Sequence, residues 1–84
     1  MKRAIRLTAA QIRAARALLN WSRDTLALKC GVSLRTIVMI EADEANPRDA
    51  TMDRIVASFT KAGVKFIKQN GGGPGVRFTR VSHP

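Results

Sequence analysis

Arginine and lysine are the residues of this chain with the most chemistry to offer, and that chemistry is the binding of anions. They number 15 against 6 acids, a formal charge of +9, and every acid falls between Asp24 and Asp53, so residues 1–23 and 54–84 are purely basic. Nucleic acid is the expected partner over an anionic membrane surface, since no stretch is apolar enough to span a bilayer. Catalysis has no comparable support: no paired carboxylates and no Ser/His/Asp set stand out. Cys30 and His83 are the one cysteine and the one histidine, too few for a zinc ligand set, so neither a metal nor a cofactor is expected. The cluster Asn70-Gly-Gly-Gly-Pro-Gly75 has no following Lys-Ser/Thr and no following helix, so it reads as a flexible turn and not as a phosphate cradle. A lone cysteine and a polar Met1-Lys-Arg-Ala start point to a reducing cytoplasm, with Cys30 acting as a small buried hydrophobe. In 84 residues the core is small, and an enzyme with a deep pocket is not expected.

The element that must position these charges is read from Arg23 to Glu41, RDTLALKCGVSLRTIVMIE. Leu26, Ala27 and Cys30 give a first short helix its apolar stripe, Gly31 supplies a turn, and Ile37 and Ile40 give a second helix its own. Ser33 is placed to cap that second helix, and Val32 with Ile37 has the spacing of a hydrophobic staple. Two short helices joined this tightly are a helix-turn-helix, a motif that presents its second helix to DNA.

Around it the chain supplies further elements. Met1 to Leu7, with Lys2, Arg3 and Arg6, reads as a basic arm. Thr8 and Gln11 form a capping box, Leu7 and Ile12 a staple, and Ile12, Ala15, Leu18 and Leu19 one face of a helix ending near Leu19. Ser22 caps the next helix, and Trp21 is spaced to pack on Leu26 at that junction. Asn46-Pro47 marks a loop, after which Met52, Ile55, Val56 and Phe59 trace a helix over 50–62, closed by Gly63. Val64–Lys68 and Val76–Arg80 then alternate like the strands of a β-hairpin, with Val64, Phe66, Val76 and Phe78 on one apolar face. The expected organisation is an arm over 1–7, a four-helix unit over 8–62 and a basic hairpin with its tail over 63–84.

From Ile12 to Phe59 the sequence resembles the Xre family of phage-repressor and Cro-like DNA-binding domains. The resemblance rests on Arg23, Leu26-Ala27, Gly31-Val32-Ser33, Thr36-Ile37, Ile40-Glu41, Pro47 and Met52 at the family's spacing. It implies a mainly α, four-helix repressor-like fold, here with a C-terminal β-hairpin in place of the family's last helix. It also implies that Ser33, Leu34, Arg35, Val38 and Met39 face the major groove. Among them Arg35 is the candidate reader, because a guanidinium can bond O6 and N7 of guanine together. Phosphate contact is implied for Arg23, with Thr36, Arg6 and Arg48 as further candidates. Arg16 and Glu41 occupy the positions of an ion pair that ties the first helix to the third in this family. Asp43 and Glu44 depart from the pattern, which often has Gly and basic residues there.

The function expected is sequence-specific binding of double-stranded DNA by a transcription regulator. It would act as a homodimer on a two-fold operator and could regulate its own synthesis, since one recognition helix reads few base pairs. The hairpin could dimerise through its strand edges or reach the DNA backbone as a wing. The alternative is an antitoxin- or antiactivator-like module that binds a protein partner on the same fold, supported by the apolar Leu34, Val38 and Met39.

Overall fold

A computed structural model of the chain describes residues 6–69 and 71–80. Four helices are followed by a hairpin: α1 Ala9–Leu19, α2 Arg23–Cys30, α3 Leu34–Glu41, α4 Asp49–Lys61, β1 Val64–Ile67 and β2 Gly75–Phe78. α2 and α3 have 8 residues each, below the length at which a helix persists alone in water, so caps and tertiary packing must hold them.

The caps come from the sequence as read. Thr8 accepts from the Gln11 N–H while the Gln11 side chain accepts from the Thr8 N–H, which completes the capping box of α1. Ser22 accepts from the Thr25 N–H and Ser33 from the Thr36 N–H, each satisfying a donor that a helix start leaves orphaned. The helix ends share a second device. Trp21 N–H bonds Arg16 O, Val32 N–H bonds Ala27 O, and Glu44 N–H bonds Met39 O, each bond closing a Schellman turn. The residue before each of these donors is left-handed: Asn20 at φ 57°, Gly31 at φ 69° and Asp43 at φ 63°.

Every element contributes to one core. Ile12, Ala15, Leu26, Ile37, Ile40, Met52, Ile55, Phe59 and Val64 are buried in it. Phe59 is its hub: Trp21 stacks on it at 5.6 Å between centroids, Phe66 meets it edge-on at 5.7 Å, and Lys29 Nζ lies 5.5 Å from the Trp21 ring. Trp21 therefore belongs to the packing at the α1–α2 junction.

β1 and β2 pair antiparallel with Val64 opposite Phe78, Lys65 opposite Arg77 and Phe66 opposite Val76. The shared apolar face is turned inward, with Val64 buried and Phe66 and Val76 half-buried against the core, whereas Phe78 is exposed. α1 packs on β2 and α4 on β1. One buried side chain joins the two halves: Gln11 Nε2 donates to the carbonyls of Ile67 at 3.3 Å and Gly75 at 3.0 Å.

Three expectations are corrected. β1 ends at Ile67, where Gln11 takes up the carbonyls of the last cross-strand pair, and β2 spans Gly75 to Phe78. α4 runs from Asp49 to Lys61, one residue earlier than expected at each end, while Gly63 just past the C-cap Ala62 closes it in the left-handed conformation as expected, at φ 96°. Two residues of the expected arm belong to the folded unit: Leu7 is buried as the staple on α1, and Arg6 is bonded to the loop before α4. Lys2 and Arg3 of that arm, Asn70 of the turn and His83 lie outside the described residues.

The left-handed turn between α2 and α3 is open to a direct test. A Cβ added at Gly31 meets nothing within 4 Å, so Gly31→Ala meets only conformational strain. Urea unfolding is expected to show a loss of about 1–2 kcal/mol with the native helix content retained.

Candidate nucleic-acid interface

The face of α3 that meets solvent is set by the face that does not. Ile37, Ile40 and Glu41 are buried, so helical periodicity turns Leu34, Arg35 and Val38 outward, and all three are exposed together with Ser33 at the cap. Met39 is half-buried and offers less of itself than the other four. Among the described residues Arg35 has neither an acid partner nor a side-chain hydrogen bond, which leaves its planar donor fork free.

Two helix starts carry the same polar unit. Ser33 Oγ donates to Thr36 Oγ1 at 2.8 Å, and Ser22 Oγ lies 3.0 Å from Thr25 Oγ1. In the first pair the Thr36 hydroxyl accepts from the serine and keeps its own hydrogen for another acceptor. Arg23 is the first residue of α2 and is exposed. Arg48 is the N-cap of α4, also exposed, and makes no side-chain cap bond. Arg23, Thr36 and Arg48 thus stand at three helix N-termini, where backbone N–H groups and a basic or hydroxyl side chain can converge on a phosphate.

Arg6 stands apart from these three. Its Nη1 donates to Asp49 Oδ1 at 3.2 Å and its Nη2 to Asn46 Oδ1 at 2.6 Å and Pro47 O at 2.9 Å. With those donors committed, Arg6 ties the start of α1 to the loop before α4, a role different from the expected phosphate contact.

α3 is anchored at its far end. Arg16 grips the Glu41 carboxylate through Nε at 2.6 Å and Nη2 at 2.8 Å, and its Nη1 donates to Trp21 O at 3.0 Å. Glu41 holds the Arg16 guanidinium more firmly protonated than usual, through the hydrogen bond first and its charge second, against the opposing effect of burial. Arg13, one turn earlier on α1, donates to the Glu41 carbonyl. On the opposite side Arg54 of α4 donates to the Gly31 carbonyl at 3.4 Å. α1 and α4 therefore hold the helix-turn-helix at its turn and at its end.

Arg13, Arg54, Thr25 and the hairpin contact of Gln11 are the working residues that the sequence did not disclose. Arg13 had a signal, since it lies three residues before Arg16 and so shares its helix face. Gln11 was read for its local cap alone, and nothing in the sequence ties it to the hairpin. Cys30 is buried, and burial pushes its thiol up from the ordinary range, which disfavours the reactive thiolate. Among the described residues no His/Cys/Asp/Glu group could hold a metal ion, and no helix is long and apolar enough to cross a membrane.

Beside this interface the acids of the next loop, Asp43 and Glu44, are exposed. Asp43 adopts its left-handed conformation to end α3, so its position is set by the turn while its charge opposes phosphate. Of the four residues expected at a dimer contact, Val64 is buried in the core, Phe66 and Val76 are half-buried against it, and Phe78 is exposed.

The helix-turn-helix family model matches residues 12–60, from the first turn of α1 to the last turn of α4, and the hairpin lies beyond it. No curated protein matches the chain.

The anchor predicts an asymmetric response to mutation. The Glu41 side chain is 4% exposed and that of Arg16 20%, so a carboxylate left alone is more stranded than a guanidinium. Arg16→Met is expected to lose about 3–5 kcal/mol in urea unfolding and Glu41→Leu less. Arg16→Met combined with Glu41→Leu should recover much of the loss, whereas strictly additive losses would contradict a buried pair.

Proposed function

Because the chain belongs to the Xre/Cro-like helix-turn-helix family, a family of DNA-binding transcription regulators, we propose that it recognises a specific duplex through α3 and acts as a homodimer on a two-fold operator. The observation that carries this reading is the exposed Ser33, Leu34, Arg35 and Val38 face on a helix whose last residue, Glu41, is gripped by Arg16. A side chain that reads a base must arrive in a fixed position, and an anchored helix provides one. Arg35 is then the guanine reader, and Leu34 and Val38 offer apolar contact to thymine methyl groups. Arg23, Thr36 and Arg48 hold the phosphates on either side and fix the register without reading sequence.

The dimer follows from the small footprint of one α3, because useful specificity needs two half-sites. The hairpin has the atoms for it. Thr79 N–H bonds Gly63 O, so by antiparallel alternation the N–H and C=O groups of Val64 and Phe66 on one edge and of Val76 and Phe78 on the other point away from the ladder. A second copy could continue the sheet along either edge, with Phe78 beside the joint. Control of its own operator is part of this reading, since a dimer on a two-fold site needs only the protein's own abundance to set occupancy.

A second reading draws on one observation. Leu28 is 85% exposed and lies beside a shallow groove formed with Ala27, Val32 and Leu34, an apolar surface suited to the partner of an antitoxin- or antiactivator-like protein.

Two substitutions separate these readings. Arg35→Ala should cost about 1–3 kcal/mol on the best duplex and little on random duplex, while Arg23→Ala should weaken both alike. Fluorescence anisotropy over a salt series measures both. Equal loss for Arg35→Ala on the two duplexes would remove it from the reading role, and wild-type binding that is insensitive to salt would favour the protein-partner reading.

A further inference from the structure

We propose that Lys68 and Gln69, where β1 runs out, form a wing that contacts the DNA backbone on the side of the α3–α4 loop, a proposal that rests on the duplex-binding reading above. Lys68 and Gln69 leave β1 just past Ile67 and are exposed. They share one groove with Arg6, Leu7, Thr8 and Gln11 at the start of α1 and with Pro74 just before β2. Arg6 in turn bonds Asn46, Pro47 and Asp49, the segment that leaves α3 and enters α4. Arg6 thus links the groove beside Lys68 and Gln69 to the loop that carries Arg48, a candidate phosphate contact.

Gln11 gives this wing its position. Its Nε2 spends both hydrogens on the Ile67 and Gly75 carbonyls, the last cross-strand pair before the turn. A buried amide that clamps the mouth of the turn holds Lys68 and Gln69 against α1, where an unclamped glycine-rich turn would sweep a wide volume. A cation carried on a clamped turn loses less entropy on meeting a phosphate than one on a free tail.

The strand edges and the wing use different atoms, so this contact is compatible with dimerisation through the edges. The wing supplies affinity and no sequence reading, because a lysine beyond the strands meets phosphate oxygens before it meets base edges.

The experiment compares full-length wild type, Lys68→Ala and Lys68→Ala/Gln69→Ala on a random duplex and on a selected duplex over a salt series. The expected result is a loss of roughly 3- to 10-fold on both duplexes at low salt, with the slope of log K against log salt lowered by about one for the lysine. Gln11→Glu, which turns an acceptor toward the two carbonyls, should produce the same loss while circular dichroism shows the helices intact. If that variant unfolds, the surface variants still decide the matter. Unchanged affinity and slope in the Lys68 variants, or an effect on sedimentation alone, would overturn the wing. Failure of the wild type to bind any duplex would instead sink the reading on which it rests.

Discussion

The bidentate grip of Arg16 on Glu41 is the constraint on which the rest of the interface depends. α3 is two turns long, half of its surface must stay free for DNA, and its remaining face offers only Ile37 and Ile40 as buried apolar anchors. Apolar packing alone fixes how deep such a helix sits better than it fixes rotation or slide along its axis. A directional pair does what packing cannot: two N–H groups in one plane meet two carboxylate oxygens, and Arg13 adds a bond to the carbonyl of the same residue. The pair is weak evidence for extra stability, since desolvation offsets much of its attraction. Its value is positional, and it sets where Arg35 points.

The same logic recurs at the hairpin with a neutral group. Gln11 satisfies its carbonyl oxygen locally at Thr8 and its amide hydrogens at the far end of the chain, so one side chain belongs to a capping box and to a tertiary clamp at once. No buried side-chain polar atom among the described residues lacks a partner, and that full satisfaction lets polar groups fix geometry in so small a core. The hairpin closes the core with Val64, Phe66 and Val76.

What the sequence disclosed followed from local rules. The capping box at Thr8, the serine caps, the glycine turn and the apolar periodicity each concern residues within five positions of one another, and all four helices were legible from them. The hairpin was legible from its alternation. The Arg16–Glu41 pair came through the family resemblance and not from spacing, because 25 residues separate its partners and no periodicity spans that distance. Gln11, Arg54 and the Arg6 tie stayed hidden for the same reason. Asn20 and Asp43 are hidden differently: both end helices in the left-handed conformation, a role that Asn and Asp can take at small cost, but glycine, as at Gly31 and Gly63, is the stronger signal. By sequence Asp43 is only a charge at odds with phosphate, whereas the turn gives it a structural reason to be there.

The central claim, that a fixed α3 reads sequence in two copies, is tested most directly by selecting bound duplexes from a random pool with the wild-type protein. The account predicts enrichment of an inverted repeat with a guanine in each half, the half-site centres about one helical turn, 10–10.5 base pairs, apart. Enrichment of no sequence, or of a single unrepeated site, would contradict it.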